Sequence, residues 1–576
     1  MTKIWKQAEY DRGTVDALCR DLNIDPLICA ILVQRGVATE DAAERFLWPK
    51  LAYLKNPFQI DGMGRAAKRL VQAITSREKI VIVGDYDVDG ITSITLLMDV
   101  LGKFNIRPAF YVPRRFSEGH GLSREITERL LADGIPNLLI ALDCGTNAAQ
   151  EVALLKSKGC DVIVVDHHKI NDGECADCFI INPHICASIA DESQKTFCSV
   201  GLVFKLCHAL LKIFRQRNDR RATSFKMRDE LDLVALGTIA DLVPLVEENR
   251  IFCRYGLRRL SSGERRAGIG ALCKVSAIVK GIPVYPADVA FKLCPRLNAC
   301  GRLSDAVLPV KMLLSDNYEE ALTYAYELDE TNRERQAIEK EVAEEAELIV
   351  KKFYANDPAI VLFNENWHSG VVGIISGKLA RDYQRPCIVL GRERGLIKGS
   401  GRSIPPTSLV DILNECSELL ETWGGHPFAV GVSVKSENLK VFRERFCSIV
   451  SSKMQNMGFD EIIEIAGELD INAIDDDFMR DLDLLHPFGQ GNPEPMFLIR
   501  SVKIDTKPEL FGTTKTHLKF WLNYQYRKRI FVIGWEMAHN IPPTGAKLDL
   551  VAKISMDFWN GSRSKLLTLV DWRIAG

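Results

Sequence analysis

Ile80-Val-Ile-Val-Gly-Asp-Tyr-Asp-Val-Asp-Gly90 sets four β-branched apolar residues directly before three alternating carboxylates. A short apolar run of this kind fits a strand buried on both faces. Asp85, Asp87 and Asp89 then fall at every second position where that strand ends. Asp-x-Asp-x-Asp-Gly also opens an EF-hand calcium loop, which must be excluded. The bidentate Glu that such a loop needs at its twelfth position is Leu96 here, and a strand stands where an EF-hand has a helix. The triplet therefore reads as metal ligands that other segments must complete.

Three later segments do so. Asp143 follows Leu138-Leu-Ile-Ala-Leu142, Asp166-His-His168 follows Val162-Ile-Val-Val165, and Asp241 lies in Gly237-Thr-Ile-Ala-Asp-Leu-Val-Pro244. Strand-like runs alternate with helical stretches (Ile91 to Phe104, Asn147 to Lys158, Val200 to Ile213), the pattern of a parallel α/β sheet. Such sheets bind ligands outside the carboxyl ends of their strands, where these Asp and His residues fall. Carboxylates with an imidazole suit Mg²⁺ or Mn²⁺ better than a thiolate-bound zinc. Two such cations about 4 Å apart make a water nucleophilic near neutral pH and neutralise the attacking and leaving oxygens, so the site predicts a two-metal phosphoesterase. On an extended backbone His167 and His168 point to opposite sides, one toward metal and one toward substrate.

The chain has 576 residues, 47% apolar and 26% charged, a globular balance with room for several domains. It has no run of about 18 apolar residues and no hydrophobic signal region at its start, so a cytoplasmic protein without membrane attachment is expected. A net charge of −2 argues neither for nor against a polyanionic partner, and Arg and Lys cluster locally, as from Lys515 to Arg529. The 16 Cys lie mostly in apolar segments, as buried thiols do. The close pair Cys175-Ala-Asp-Cys178 has no second pair to complete a zinc site and reads as a loop.

Two helical patterns, Val15 to Leu22 and Thr39 to Leu47, form a leader without site chemistry. From 329 to 353, Ile338, Val342, Ala346, Ile349 and Phe353 recur at steps of three and four on a long amphipathic helix. A mixed lobe follows, and from about 460 short alternating strands suggest a small β barrel. In Leu518-Lys-Phe-Trp-Leu-Asn-Tyr-Gln-Tyr-Arg527 the alternation assigns Leu518, Phe520, Leu522, Tyr524 and Tyr526 to the core. Lys519, Trp521 and Arg527 face the other way, Trp521 either as a base-stacking surface or as a packing residue.

These segments resemble the DHH phosphoesterase superfamily, whose name Asp166-His167-His168 spells. Arg296-Leu-Asn-Ala-Cys-Gly-Arg302, Trp367-His-Ser-Gly-Val-Val-Gly373, Gly399-Ser-Gly-Arg-Ser403 and Gly424-Gly-His-Pro-Phe-Ala-Val-Gly431 are similar to the DHHA1 module and its approach in the RecJ family. His486-Pro-Phe-Gly-Gln-Gly-Asn-Pro-Glu-Pro495 is similar to the string leading into that family's OB-fold. The resemblance spans nearly the whole chain. It implies a leader over 1–60, a DHH parallel-sheet domain over 61–328, a connecting helix over 329–353, a mixed α/β DHHA1 domain over 354–455 and an OB-type β barrel over 456–576.

It further implies a monomeric, single-strand-specific 5′ to 3′ DNA exonuclease of recombination and repair, working beside single-strand-binding protein and a helicase. Asp87, Asp89, Asp143, His167 and Asp241 become the ligands of two ions, Mn²⁺ or Mg²⁺, with Asp143 bridging, and Asp85 and His168 take catalytic places beside them. Val83 stands where some members carry a His, and Val430 where a second small residue is common. A terminal phosphate calls for a guanidinium with a hydroxyl, which Ser400 and Arg402 offer between glycines. Arg115, Arg296 and Arg302 are expected to assist, and His426 and Trp521 to line the strand's path. Two other readings stand beside this one: a small-substrate phosphatase or oligonucleotide phosphodiesterase, which has no need of the barrel, and a non-catalytic nucleic-acid scaffold, against which the intact Asp and His sets argue.

Overall fold

The computed structural model describes residues 3–114, 118–170, 175–185, 191–393, 395–454, 461–525, 528–559 and 562–576. Arg115, Tyr526 and Arg527 lie outside them. The chain forms two compact units. One comprises Met1–Cys294, Val310–Ala321 and Asp460–Gly576, the other Pro295–Pro309 and Leu322–Phe459.

At the centre of the first unit is an all-parallel sheet in the order Ala109–Tyr111, Ile80–Gly84, Leu138–Leu142, Asp161–Val165, Phe179–Ile181. Ile80–Gly84 and Leu138–Leu142 are buried throughout, as strands covered on both faces must be. The register decides the chemistry. Gly84 pairs with Leu142 and Leu142 with Val165, so three strands end level and deliver Asp85, Asp143 and Asp166 side by side. Helices Val88–Lys103, Ser199–Gln216 and Leu231–Ala240 pack together beside this edge.

In the same unit the C-terminal segment builds a seven-stranded sheet. Its order is Gly467–Glu468, Phe497–Lys503, Lys547–Trp559, Ser562–Ile574, Lys528–Gly534, His517–Tyr524, Glu509–Phe511. Leu518, Phe520, Leu522 and Tyr524 enter its core, as the alternation foretells. That core also contains Val15, Leu18, Ile28, Ile31 and Leu32 from the leader, and Lys3–Gln7 pairs in parallel with Glu461–Ile465. The expected leader helices appear as Arg12–Leu22 and Glu40–Leu47. Between them lies Pro26–Gln34, which alternation and periodicity do not announce because its middle five residues are all buried.

The string at His486 works as a clip. Buried Arg250 donates to the carbonyls of Phe46 (2.6 Å), Leu484 (2.9 Å), Leu485 (3.1 Å) and His486 (2.9 Å). Asn492 Nδ2 donates to the Leu485 and Pro487 carbonyls at 2.9 and 2.7 Å, and Leu245 N–H to Gln490 O at 2.7 Å. One guanidinium thus joins the leader, the helix Glu247–Ser261 and the approach to the barrel.

The long helix runs Tyr318–Phe353, starting earlier than the expected 329. Asn317 marks that start, its side-chain oxygen accepting the N–H groups of Glu319 (2.9 Å) and Glu320 (3.2 Å). In the second unit Val342 and Ala346 are buried against the sheet as expected, whereas Phe353, the helix's last residue, is 61% exposed and Tyr354 packs instead. The sheet there has the order Leu420–His426, Ala429–Val434, Leu396–Arg402, Cys387–Glu393, Ile360–Phe363, with the helix Ser369–Tyr383 against it.

Candidate metal centre

The turn after Gly84 brings the first carboxylates inward. Asp87 caps the helix Val88–Lys103, accepting Gly90 N–H at 3.1 Å, and this places Asp89 in the first turn, fully buried. Gly90 has to be glycine, since a Cβ there would meet Asp85 O at 2.2 Å. Asp85 accepts the N–H groups of Tyr86 (2.9 Å) and Gly121 (3.4 Å). Asp143 sits in the left-handed region at φ 60, which Asp tolerates, with its N–H on Val165 O at 2.9 Å. Asp241 ends the helix Leu231–Ala240.

His167 Nε2 lies 3.4 Å from Asp143 Oδ1, 3.6 Å from Asp241 Oδ2 and 4.0 Å from Asp89 Oδ2. Burial and the neighbouring His168 push its pKa down to about 4, so the ring is neutral and these contacts are not ion pairs. They are lone pairs gathered around His167, the residue common to two sets of donors. Asp89, His167 and Asp241 form one group whose ligand atoms lie within 4.8 Å of one another, and Asp143, His167 and His168 form a second. Asp87 belongs to neither, though its charge acts on Asp85, Asp89, Asp143 and Asp241. Cys175 and Cys178 enter no metal-capable group among the described residues.

The electrostatics demand cations. Burial, then mutual repulsion, raises Asp85 and Asp89 to about 7 and Asp241 to about 8, and carries Asp143 well above the carboxylate range. Hard oxygen donors, one neutral imidazole and uncompensated negative charge suit Mn²⁺ or Mg²⁺.

His167 and His168 do not point to opposite sides. They lie beyond the strand Asp161–Val165, free of its pleat, and their ring centroids are 4.6 Å apart. His168 Nδ1 donates to Asp166 Oδ1 at 2.7 Å, a bond that raises His168 to about 9. Although burial opposes it, the same bond holds Asp166 well below the usual carboxylate range. His168 is thus an imidazolium, fixed further by Asn182 Nδ2 on its carbonyl at 2.8 Å.

Sequence reasoning passed over Ser199. Its N–H donates to Asp89 Oδ2 at 2.7 Å and its Oγ to Asp143 Oδ1 at 2.9 Å, while Val200 N–H donates to Asp89 Oδ1 at 2.8 Å. The helix was legible, but the use of its first amides was not. Gly237 belongs to the same contact, since a Cβ there would lie 3.0 Å from Asp89 Oδ1.

In the second unit Ser400 and Arg402 share a sheet face beside the helix Ser369–Tyr383. A Cβ at Gly373 would stand 3.2 Å from Ser400 Oγ and 3.8 Å from Arg402 Nη2. Across the strands, Ser400 pairs with Gly431 and that with Gly424, while Arg402 pairs with Ala429 and that with His426. Small residues thus floor a shallow surface edged by Ser400, Arg402 and exposed His426. Arg302 Nη1 donates to Gly370 O at 3.1 Å beside it. Arg296 is engaged by Asp329 at 2.9 Å. In the first unit, Trp521 stands outside the barrel core, 43% exposed, its ring 4.8 Å from Phe531.

Comparison with known proteins matches residues 79–238 to the N-terminal domain of the DHH family, 356–452 to the DHHA1 domain and 465–571 to the RecJ OB domain. Fold and site thus define a DHH-type phosphoesterase that carries a DHHA1 lobe and an OB domain. The single-stranded-DNA-specific exonuclease RecJ of Bacillus subtilis is 35% identical over 98% of this chain and 70% of its own length. That of Haemophilus influenzae is 34% identical over 99% of both. The Mn²⁺ complex of RecJ from Thermus thermophilus superposes with a TM-score of 0.83 at 25% identity, covering 100% of this chain and 80% of that one. The chain belongs to the RecJ family.

Proposed function

We propose that this chain is a single-strand-specific 5′ to 3′ DNA exonuclease using two divalent cations, Mn²⁺ or Mg²⁺. The observation that carries this reading is the convergence of Asp89, Asp143 and Asp241 on the neutral, partly buried His167. The name of the family's relatives and the metal in the Thermus thermophilus complex support it. Asp87, Asp89, Asp143, His167 and Asp241 would hold the ions. Bound there, the cations supply an activated water and neutralise the phosphate.

The chain's own groups do the rest. Imidazolium His168, held by Asp166, faces the phosphate with a positive charge and can hand a proton to the departing oxygen. Asp85, raised to about 7, exists in both forms near neutral pH: its carboxylic acid would offer a hydrogen bond to the phosphate, and its carboxylate would take a proton from the attacking water. Ser400, Arg402, Arg302 and Arg115 hold the 5′ phosphate, and His426 and Trp521 line the strand. No helix of the described residues is long and apolar enough to cross a membrane. A cytoplasmic monomer acting where a helicase exposes single strands, beside single-strand-binding protein, completes the proposal.

The test is Mn²⁺-dependent release of label from 5′- and 3′-labelled single strands, set against duplexes, dinucleotides and pyrophosphate. Early release of the 5′ label from single strands is expected. Turnover confined to dinucleotides or pyrophosphate overturns the proposal.

A further inference from the structure

Asp89 and Asp143 arrive from different elements, one in the first turn of a helix and the other just past a neighbouring strand. Nothing in the backbone of either fixes how far apart their carboxylates stand. Ser199 touches both, with its amide on Asp89 Oδ2 at 2.7 Å and its hydroxyl on Asp143 Oδ1 at 2.9 Å. It is completely buried, at the first position of the 18-residue helix Ser199–Gln216. Val200 N–H takes the other oxygen of Asp89, so that carboxylate cannot rotate.

We infer that Ser199 is a positioning residue that sets the spacing of the two carboxylates and the oxygens each presents to the ions. This rests on the two-cation reading above. A carboxylate oxygen has two lone-pair sites, and the Ser199 hydroxyl fills one on Asp143 Oδ1. That oxygen, 3.4 Å from His167 Nε2, is left with one site and a fixed direction, so Asp143 would meet the ions in one orientation. The helix start contributes twice, since its N–H groups and dipole favour negative charge where two carboxylates crowd. Without the hydroxyl, Asp143 is free to turn about its side-chain torsions, and the pair loses its fixed separation.

The experiment is calorimetric titration of Mn²⁺ into the metal-stripped full chain, native and Ser199→Ala, with the melting temperature of each stripped protein measured alongside. Removing one oxygen leaves the backbone amides on Asp89 in place, so the stripped variant should melt within a few degrees of the native chain. Its Mn²⁺ affinity should fall roughly tenfold to a hundredfold, the usual cost of losing a group that orients a ligand. Ser199→Thr, which keeps the hydroxyl, should bind within a few-fold of native. Equal Mn²⁺ affinity in native and Ser199→Ala overturns the inference while the two-cation reading stands. Failure of the native chain to bind Mn²⁺ overturns both.

Discussion

Replacing Asp143 by Asn removes one charge from a pocket where Asp89, Asp87, Asp85 and Asp166 all repel it, yet keeps an acceptor for Ser199 and a residue at ease at φ 60. On the proposed two-cation site, turnover should fall by more than about a hundredfold, since a metal ligand would be lost, while the metal-free protein melts no lower than native. Near-native Mn²⁺-dependent activity would sink the assignment. The raised carboxylates also fix a pH dependence. A carboxylate whose folded pKa exceeds its unfolded one stabilises the fold at low pH and loses that contribution as pH rises through the folded value. Asp85 and Asp89 do so near 7, Asp241 near 8, and His168, raised to about 9, acts in the same direction. The lowered imidazoles of His167, His208 and His486 oppose this only below about 6.5, where they charge on unfolding. In chelator, the melting temperature should therefore fall from about pH 6.5 to about 8.5, and Mn²⁺ should restore it; a rise across that range contradicts the electrostatics. Arg402→Ala should cost roughly tenfold to a hundredfold on 5′-phosphorylated ends and much less on 5′-hydroxyl ends, as loss of a charged hydrogen bond would. Equal losses on both ends move the phosphate pocket elsewhere. At this scale the strand-end Asp and His were legible because side chains announce them. Ser199 was not, since half its work is done by a backbone amide.

The strand His517–Tyr524 is the element whose two faces make separable predictions. Phe520 is buried in the barrel core and Trp521 is turned out of it. Trp521→Ala should weaken single-strand binding by about 1–3 kcal/mol with little change in melting. Phe520→Ala should instead destabilise by about 3–5 kcal/mol. A lowered melting temperature with unchanged strand affinity in Trp521→Ala would make that residue a packing one. Alternation made this strand legible, and runs such as Ile80 to Val83 made the parallel sheet so. The helix Pro26–Gln34 escaped because a segment buried on every side has no stripe to betray it. The early start of Tyr318–Phe353 escaped because Asn317 is a short signal ahead of a polar first turn.

Across the whole molecule the order of parts was readable from motifs, but their attachments were not. The string His486-Pro-Phe-Gly-Gln-Gly-Asn-Pro-Glu-Pro495 looked like a family signature, and its first carbonyl, with those of Leu484 and Leu485 just ahead of it, proves to be what Arg250 grips. Arg250→Met roughly keeps the volume but takes the donor from the Phe46 and Leu484 carbonyls, while Leu485 keeps Asn492 and His486 keeps Arg254. It should lower the stability of the first unit by about 3 kcal/mol, read as a lower urea midpoint than native. An unchanged transition would show that the clip is ornamental. The pairing of Lys3–Gln7 with Glu461–Ile465 was out of reach, since a five-residue strand carries no mark of a partner so distant. It has a consequence for biosynthesis. At about 5–20 residues per second, the first strand emerges from the ribosome roughly 25–90 seconds before the segment that covers it. Throughout that interval the leader helices pack only on one another and lack the barrel residues that complete their core, so the nascent chain is expected to draw on chaperones until residues 461–576 are translated.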